Sequence, residues 1–383
     1  MVKDSRSLRI AQIAPLAESV PPKLYGGTER VVHYLTEELV RQGHEVTLFA
    51  SGDSQSSARL VAGAPRALRL DPAVCDTLPH VMMQIEQVRR RAHEFDILHF
   101  HVDLLHFPLL RELGVRSITT LHGRIDSADL RRFYAEFTDM PVVSISHDQR
   151  RHLPHANWAG TVHHGLPLDT YSFSDRPHGD YLAFIGRIAP EKRADRAIAI
   201  AKLAGMRLRI AAKVDPVDRA YFERSIQPLL ASKHVEFVGE IGEREKGELL
   251  GNARALLFPV DWPEPFGLVM IEAMACGTPV IGWRCGSVPE VIEEGTTGYV
   301  VESKTEAARA AQQVLSLDRR LVRRRFEERF SAERMAREYA EIYRALAKAD
   351  VKSALPLVLA RSGRAQTGRS PEESSRVPHE VGT

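Results

Sequence analysis

Two glutamates stand eight positions apart in a stretch that also carries prolines, glycines and an apolar run. Residues 261–282 read D-W-P-E-P-F-G-L-V-M-I-E-A-M-A-C-G-T-P-V-I-G, in which the two acidic side chains of interest are Glu264 and Glu272. Ionised carboxylates accept strong hydrogen bonds from hydroxyl groups, and the free amides of a helix start bind phosphate. This combination indicates a site for a ligand that carries both hydroxyls and phosphate.

A helix has to position these two carboxylates. Pro263 and Pro265 cannot lie inside a helix, whereas good or neutral helix formers follow, so the sequence predicts a helix that begins near Phe266 and stops at Gly277. Glu272 would then lie about two turns, roughly 9 Å, along the helix axis. The amides exposed at such a helix start are those of Phe266, Gly267 and Leu268.

A glycine pair precedes the first predicted helix of the chain. Residues 8–15 predict a strand, residues 28–41 an amphipathic helix and residues 45–50 a second strand, which together form a parallel β-α-β unit. Gly26 and Gly27 lie between the first strand and the helix, where they let the backbone approach an anion closely. The loop is neither G-x-G-x-x-G nor a P-loop, and a plain tight turn is the alternative interpretation.

Two cations lie beside another predicted helix start. The segment G-R-I-A-P-E-K, residues 186–192, follows a predicted strand and places Arg187 and Lys192 in a loop before a helix that begins near Arg193. Arginine offers a bidentate fork and lysine a mobile point charge, which together suit a diphosphate. The alternative is a pair of ordinary exposed basic side chains.

Histidines follow two further predicted strands. His101 and His122 come at the ends of the strands at residues 96–101 and 117–121, and ligands of open parallel sheets bind beyond the carboxyl ends of strands. The first of them belongs to an H-x-H-x-D sequence typical of metal-dependent hydrolases. That pattern also requires a histidine directly after the aspartate, where Leu104 stands, so metal hydrolysis is only a remote alternative.

Length and charge exclude several classes of protein. The chain has 383 residues, enough for two domains of about 150 to 190 residues. Its 52 basic residues are balanced by 50 acidic ones, so no nucleic-acid partner is expected. It contains no run of 18 apolar residues and no secretory leader pattern, so we expect no transmembrane segment and a cytoplasmic location. Its cysteines are expected to be small buried hydrophobes: Cys75, Cys276 and Cys285.

The second half of the chain repeats the β-α-β pattern after a linker predicted at residues 169–178. Residues 331–347 form an amphipathic helical pattern, and residues 351–383, rich in Ser, Pro, Gly and charge, are predicted to be disordered. The arginines at residues 319–325 predict a solvated helix, with a peripheral membrane patch as the alternative.

Four motifs occur in an order that resembles one enzyme family. They are Y-G-G-T-E-R-V-V, T-T-L-H-G, G-R-I-A-P-E-K and E-P-F-G-L-V-M-I-E-A-M-A-C-G-T-P-V-I. Together they resemble the motifs of retaining GT-B glycosyltransferases, in particular glycosyltransferase family 4 (group 1), over residues 8–347. The resemblance implies an α/β GT-B fold of two Rossmann-like, doubly wound parallel-sheet lobes, residues 1–168 and 179–330, around an interdomain cleft. It also implies that residues 331–350 form a helix crossing back to the first lobe.

The same resemblance implies roles for single residues. Glu264 would bind hydroxyls of a donor sugar, Glu272 the ribose hydroxyls, and the Gly26-Gly27 loop, Arg187 and Lys192 the diphosphate. His122 would contact the sugar near its reacting carbon. The implied catalytic residues are His122, Glu264, Arg187 and Lys192. The implied donor-binding residues are Gly26, Gly27, Arg187, Lys192, Ile241, Glu264, Phe266, Gly267, Leu268 and Glu272.

The implied reaction transfers a sugar from a nucleotide-sugar donor, UDP-glucose being the first choice by family frequency, to a hydroxyl acceptor that the sequence does not identify. No metal and no other cofactor are expected. Two alternatives are a GT-B-related epimerase or phosphorylase, which would not need a separate hydroxyl acceptor, and a non-catalytic sugar-nucleotide-binding protein. The second would tolerate loss of Glu264 or His122, and both are present.

Overall fold

The structure is a computed structural model that describes residues 7–23, 26–69 and 71–348. The disordered tail predicted at residues 351–383, the last two residues of the predicted 331–350 helix, and Tyr25 of the glycine loop lie outside the described residues.

The first lobe is built on a sheet of seven parallel strands: β1 Arg9–Ile13, β2 Glu45–Ser51, β3 Arg59–Ala64, β4 Ile97–Phe100, β5 Ser117–Thr120, β6 Pro141–Ser144 and β7 Asn157–Thr161. Their spatial order is β3-β2-β1-β4-β5-β6-β7. The helices of this part of the chain are α1 Gly27–Arg41, α2 Leu78–Arg91, α3 Phe107–Leu113, α4 Ala128–Glu136 and α5 His147–Arg150.

The second lobe repeats this plan with six parallel strands: β8 Tyr181–Arg187, β9 Arg207–Lys213, β10 Val235–Gly239, β11 Ala255–Phe258, β12 Val280–Trp283 and β13 Gly298–Val301. Its helices are α6 Ala194–Ala204, α7 Arg219–Tyr221, α8 Glu243–Asn252, α9 Leu268–Ala275, α10 Val288–Val291, α11 Lys304–Gln313 and α12 Arg319–Arg329. The order β10-β9-β8-β11-β12-β13 reverses beside β8, as the order of the first sheet reverses beside β1. Crevices at such reversal points bind ligands. The predicted fold of two doubly wound lobes is confirmed.

The last described helix, α13 Ala332–Lys348, returns to the first sheet. Its buried face includes Tyr343, whose hydroxyl lies 3.1 Å from the Gln12 amide on β1. The start of α13 lies beside the segment that follows β7, where the chain first passes from one lobe to the other. The Leu166 amide of that segment donates to the Phe330 carbonyl at 2.9 Å. A Cβ at Gly165 would lie 2.3 Å from the Ser331 carbonyl oxygen, so only glycine allows this close approach. None of the described helices combines the length and apolar character needed to cross a bilayer.

Three strands were absent from the sequence-based prediction. They are β3, β7 and β13, and each lies at an edge of its sheet. Central strands of a parallel sheet are buried on both faces and read as continuous apolar runs. Edge strands such as β7, N-W-A-G-T, are only partly buried and carry no such run.

The helix of the glutamate stretch begins later than predicted. It starts at Leu268, because Gly267 adopts a left-handed conformation with φ of 82°. A Cβ on Gly267 would also lie 2.8 Å from the Phe258 ring. Glu272 is therefore the fifth residue of α9 rather than two turns into it. Arg187, predicted in a loop, is the last residue of β8 and pairs in register with Lys213 of β9.

The solvated basic helix predicted at residues 319–325 is wrong for Arg319. This residue is 7% exposed, and its guanidinium donates to the Ser174, Ala253 and Gly251 carbonyls at 2.8 to 3.0 Å. Burial lowers its pKa to about 10. A side chain held in this way cannot belong to a membrane-binding patch, because its hydrogen-bond donors are committed inside the protein.

The cysteines also differ from the prediction in one case. Cys276 is buried and Cys285 is half-buried, but Cys75 is exposed. The expectation of a small buried hydrophobe is wrong for Cys75, which lies in an irregular segment between β3 and α2.

Candidate functional site

A cavity of about 460 Å³ lies where the carboxyl ends of the two sheets face each other. The first lobe contributes the loop before α1 and His122, and the second lobe contributes β8, the loop after β10 and the start of α9. The catalytic and donor-binding residues implied by the family resemblance all line this one cavity: Gly26, Gly27, His122, Arg187, Lys192, Ile241, Glu264, Phe266, Gly267, Leu268 and Glu272. His101, the other histidine predicted at a strand end, lines an adjoining cavity instead. Residues that are far apart in the chain thus line one cavity, with residues of both lobes on its walls.

Glu264 and Glu272 each form an ion pair with a lysine. Glu264 accepts hydrogen bonds from Lys192 Nζ and, at 2.9 Å, from the Trp262 ring nitrogen. Glu272 accepts from Lys246 Nζ at 2.7 Å. Both carboxylates are buried, with 8% and 4% of the residue exposed. Buried carboxylates are stable only when paired and hydrogen-bonded, so these two are held in fixed orientations toward the cavity.

Arg187 is surrounded by acidic side chains. Its guanidinium nitrogens lie 2.7 Å from Glu191, 3.8 Å from Asp215 and 3.7 Å from Asp218. About a third of the Arg187 side chain is exposed. These carboxylates hold the guanidinium at the end of β8, so an anion entering the cavity meets a cation already in position.

Two helix N-termini also border the cavity. The first amides of α1 and of α9 have no side-chain cap, since Gly26 and Gly267 occupy the cap positions. The partial positive charge of a helix start favours a bound anion. A Cβ at Gly26 would lie 2.7 Å from Pro22, so the first helix can start at this point only with glycine.

The sequence analysis missed a charged cluster beside Glu272. Glu243 of α8 lies next to Arg30 of α1, accepts a hydrogen bond from the Tyr171 hydroxyl, and lies 3.5 Å from Lys246. Burial, together with the carboxylates of Glu272 and Glu243, holds the pKa of Tyr171 well above its ordinary value. The spacing of Glu243 and Lys246 on one helix face was the available signal, but it is common on solvated helices.

His122 is half-buried and is in contact with two buried histidines, His101 and His164. Its Nε2 lies 2.8 Å from His101 Nδ1, and its ring stacks on His164 with 5.3 Å between centroids. Burial lowers the pKa of His122 to about 3. The imidazole is therefore neutral near pH 7 and acts as a hydrogen-bonding group rather than as a cation.

The H-x-H-x-D alternative does not form a metal site. His99 Nδ1 lies 2.6 Å from the Tyr343 hydroxyl and His99 Nε2 lies 2.7 Å from Thr120 Oγ1, so both ring nitrogens bind protein groups. In the described part of the chain, the group of potential metal ligands that comes together lies elsewhere, at His147, His163 and Glu290.

Glu290 joins the two lobes. Its carboxylate accepts the amides of His147 and Asp148 at 2.7 and 2.6 Å and lies 3.1 Å from His163 Nε2. Burial alone would raise the pKa of Glu290, but these hydrogen bonds outweigh it, and the pKa lies below its ordinary value. The ionised carboxylate therefore stabilises the contact between the lobes.

Replacing Glu290 with glutamine should lower the free energy of unfolding at pH 7 by about 1 to 2 kcal/mol, because an amide offers fewer acceptors and no charge. A depressed carboxyl pKa gives stability that is present above the unfolded value of about 4.3 and is lost below it. The gap between wild type and Glu290→Gln should close as the pH falls below about 4. Calorimetric melting across this range tests it, with exposed Glu333→Gln as control; a gap independent of pH would contradict the assignment.

Comparisons with known proteins identify the family of the chain. A model described as Glycosyltransferase Family 4 matches residues 25–218, and one described as Glycosyl transferases group 1 matches residues 174–331. The chain is 29% identical over 209 residues to a D-inositol 3-phosphate glycosyltransferase of Mycobacterium sp. (strain KMS), covering 51% of this chain and 45% of that protein. It is 23% identical over 355 residues to a phosphatidyl-myo-inositol mannosyltransferase of Mycobacterium leprae (strain TN), covering 83% and 90%. The chain thus spans less than half of the first of these relatives.

Solved structures share the fold over most of the described chain. A glycosyltransferase involved in avilamycin A biosynthesis superposes with a TM-score of 0.71 at 25% identity, covering 89% of this chain and 99% of that one. An Anabaena protein solved in complex with UDP-glucose superposes with a TM-score of 0.67 at 16% identity, covering 88% and 100%.

Proposed function

Because the chain belongs to Glycosyltransferase Family 4 and is a transferase, we propose that it moves a sugar from a nucleotide sugar, UDP-glucose in the first instance, to a hydroxyl acceptor. We also propose that the reaction needs no metal and retains the configuration of the sugar. The observation that carries the proposal is the single cavity that collects two lysine-paired glutamates, Arg187 and two uncapped helix N-termini. The choice of donor is supported by the Anabaena relative of this fold, whose structure holds UDP-glucose.

We assign the basic side chains and helix amides of the cavity to the diphosphate, and its two buried carboxylates to hydroxyl groups. Arg187, Lys192 and the amides at the starts of α1 and α9 would receive the diphosphate. Glu272, held by Lys246 at 2.7 Å, would accept the ribose hydroxyls, and Glu264 the sugar hydroxyls. Ile241, in the loop between β10 and α8, would lie beside the base.

The reaction breaks the bond between the anomeric carbon and the diphosphate oxygen, and both electrons leave with the diphosphate. Fixed cations that face this developing charge stabilise the transition state more than the ground state. The acceptor oxygen bonds to the anomeric carbon on the same face, and its proton passes to the departing phosphate. Lys192 and Arg187 supply the positive charge that a metal ion would otherwise bring.

Calorimetric titration with UDP-, GDP- and ADP-sugars, each with and without EDTA, tests the donor and the metal independence. We expect one nucleotide to bind with an affinity that the chelator does not change. Binding lost on addition of EDTA would contradict the metal-free mechanism.

Turnover that requires an added alcohol distinguishes a transferase from an epimerase or phosphorylase. The anomeric configuration of the product, read by NMR, tests retention.

Replacing Glu272 with alanine should weaken the binding of UDP by about 10- to 100-fold, since hydrogen bonds to a charged group contribute about 1.5 to 3 kcal/mol. The substitution also leaves Lys246 without its 2.7 Å partner. Glu248→Ala, an exposed position on the same helix as Lys246, is the control and should bind UDP as wild type does. Equal UDP affinity for wild type and Glu272→Ala would remove Glu272 from the donor site.

A further inference from the structure

A path of buried hydrogen bonds connects helix α13 with His122. The Gln12 amide nitrogen donates to the Tyr343 hydroxyl at 3.1 Å, and the Gln12 carbonyl oxygen lies 2.6 Å from His101 Nε2. His101 Nδ1 then lies 2.8 Å from His122 Nε2. Gln12 and Tyr343 are 0% exposed and His101 is 4% exposed, so water does not compete for these contacts.

The direction of each hydrogen bond follows from the first one. An amide oxygen only accepts, so His101 Nε2 must carry the proton that faces Gln12. Burial holds the pKa of His101 well below its ordinary value, so the ring is neutral and its Nδ1 is an acceptor. His122 Nε2 must therefore donate to it. Because His122 is neutral too, its own Nδ1 carries no proton.

That nitrogen has no partner within the described residues. His122 nevertheless lines the donor cavity and an adjoining cavity of about 380 Å³ that also includes His101 and Asp103. An unsatisfied buried acceptor is costly, and a catalytic or ligand-binding role is one explanation for such a group. A neutral imidazole acceptor at this place accepts a hydrogen bond from an O–H group, whereas it has nothing to offer a group that only accepts.

We propose that Gln12, His101 and Tyr343 are positioning residues that hold His122 as its Nε2–H tautomer, so that Nδ1 accepts a hydroxyl hydrogen of the bound substrate. The contact between His122 Nδ1 and a substrate hydroxyl rests on the proposed function. The Nε2–H tautomer does not, because it is a property of the ligand-free protein. With its pKa near 3, His122 serves as a hydrogen-bond acceptor and does not take the proton away.

Two-bond proton–nitrogen NMR of histidine-labelled, ligand-free protein tests the tautomer directly. The His122 signals are identified by their loss in His122→Asn. We expect a protonated Nε2 and an unprotonated Nδ1 in wild type. In Gln12→Leu, which removes the acceptor, a second tautomer should appear for His101 and His122. A protonated Nδ1 in wild type, or an unchanged pattern in Gln12→Leu, would overturn the proposal.

The kcat/KM of variants with UDP-sugars then tests whether the His122 tautomer contributes to turnover. Tyr343→Phe removes the hydroxyl that accepts from Gln12 and also contacts His99, and it should lower kcat/KM by roughly three- to tenfold. Tyr339→Phe is the matched control, because this buried tyrosine one turn earlier on α13 contacts Thr120 and does not touch Gln12. We expect a change below about twofold for it. Equal losses in the two variants would indicate a general packing role and overturn the assignment.

Fluorine identifies the ligand group, because a C–F group cannot donate. Among UDP-glucose analogues with one hydroxyl replaced by fluorine, one should lose about tenfold in affinity for wild type and clearly less for Gln12→Leu. Uniform tolerance of fluorine at every position would overturn the hydroxyl contact. If no nucleotide sugar binds, the proposed function fails while the NMR result still decides the tautomer.

Discussion

Replacing Lys192 with methionine should lower kcat by about 100- to 1000-fold, the cost of removing one preorganised charge from a developing oxyanion. Lys192 lies in the cavity between the lobes, beside Glu264 and 4.7 Å from the centre of the Trp262 ring. Methionine keeps the length and apolar stem of the side chain but carries no charge. Because the charge on the phosphate grows as the bond breaks, kcat should fall more than the affinity for the donor.

The unpaired Glu264 carboxylate is a second explanation for such a loss. Glu264 accepts from Lys192 and from the Trp262 ring nitrogen, and the substitution removes the first of these two donors. The double variant Lys192→Met, Glu264→Gln removes the unpaired charge. If the cation itself stabilises the leaving phosphate, the double variant stays as slow as Lys192→Met. Recovery to the rate of Glu264→Gln alone would show that the unpaired carboxylate caused the loss.

The matched control is Lys202→Met, an exposed position near the end of α6. It makes the same chemical change outside the cavity and should leave kcat unchanged. Single-turnover measurement with UDP-glucose separates the chemical step from product release. A Lys192→Met enzyme with the wild-type single-turnover rate would remove this lysine from the chemistry.

Replacing Arg319 with methionine should lower the free energy of unfolding by about 3 kcal/mol or more, because buried carbonyls lose their donor and each such group costs about 1 to 3 kcal/mol. The guanidinium reaches the Ser174, Ala253 and Gly251 carbonyls and, at 2.7 Å, Thr278 Oγ1. Ser174 lies between β7 and β8, Gly251 and Ala253 lie at the end of α8, and Thr278 follows α9, so one side chain ties three segments together.

The neighbouring residue provides the control. The Arg320 side chain is 72% exposed and lies 3.6 Å from Asp175 at the surface. Arg320→Met should change the free energy of unfolding by less than about 0.5 kcal/mol. Calorimetric melting temperatures of the two variants decide the matter, and similar melting temperatures would mean that the Arg319 hydrogen bonds do not hold the second lobe together.

The positions of the candidate site residues could be read from the sequence because each motif is local. A strand, a glycine or proline and a helix follow one another within about ten residues, and parallel sheets place all such junctions at one edge. The strand-end rule therefore accounts for Arg187 and Glu264, which belong to the same lobe. Only the resemblance to glycosyltransferase family 4 implied that Gly26 of the other lobe shares their cleft, and all three line the same cavity.

The start predicted for α9 was wrong, and the edge strands β3, β7 and β13 were missed. A left-handed glycine at Gly267 shifts the helix start by two residues, and nothing in local propensity distinguishes such a glycine from a helical one. Edge strands lack the apolar continuity that identified β1 or β11, because only one of their sides is covered.

Local sequence identified the segments that hold the candidate site residues, and tertiary structure decided which of their side chains are in contact. Lys246 meets Glu272, Arg30 meets Glu243, and Gln12 meets Tyr343 only after two lobes and the returning helix have packed. The physical reason is that a charge or a tautomer is set by its nearest partners in space. Partners separated by up to 331 residues leave no periodic trace along the chain.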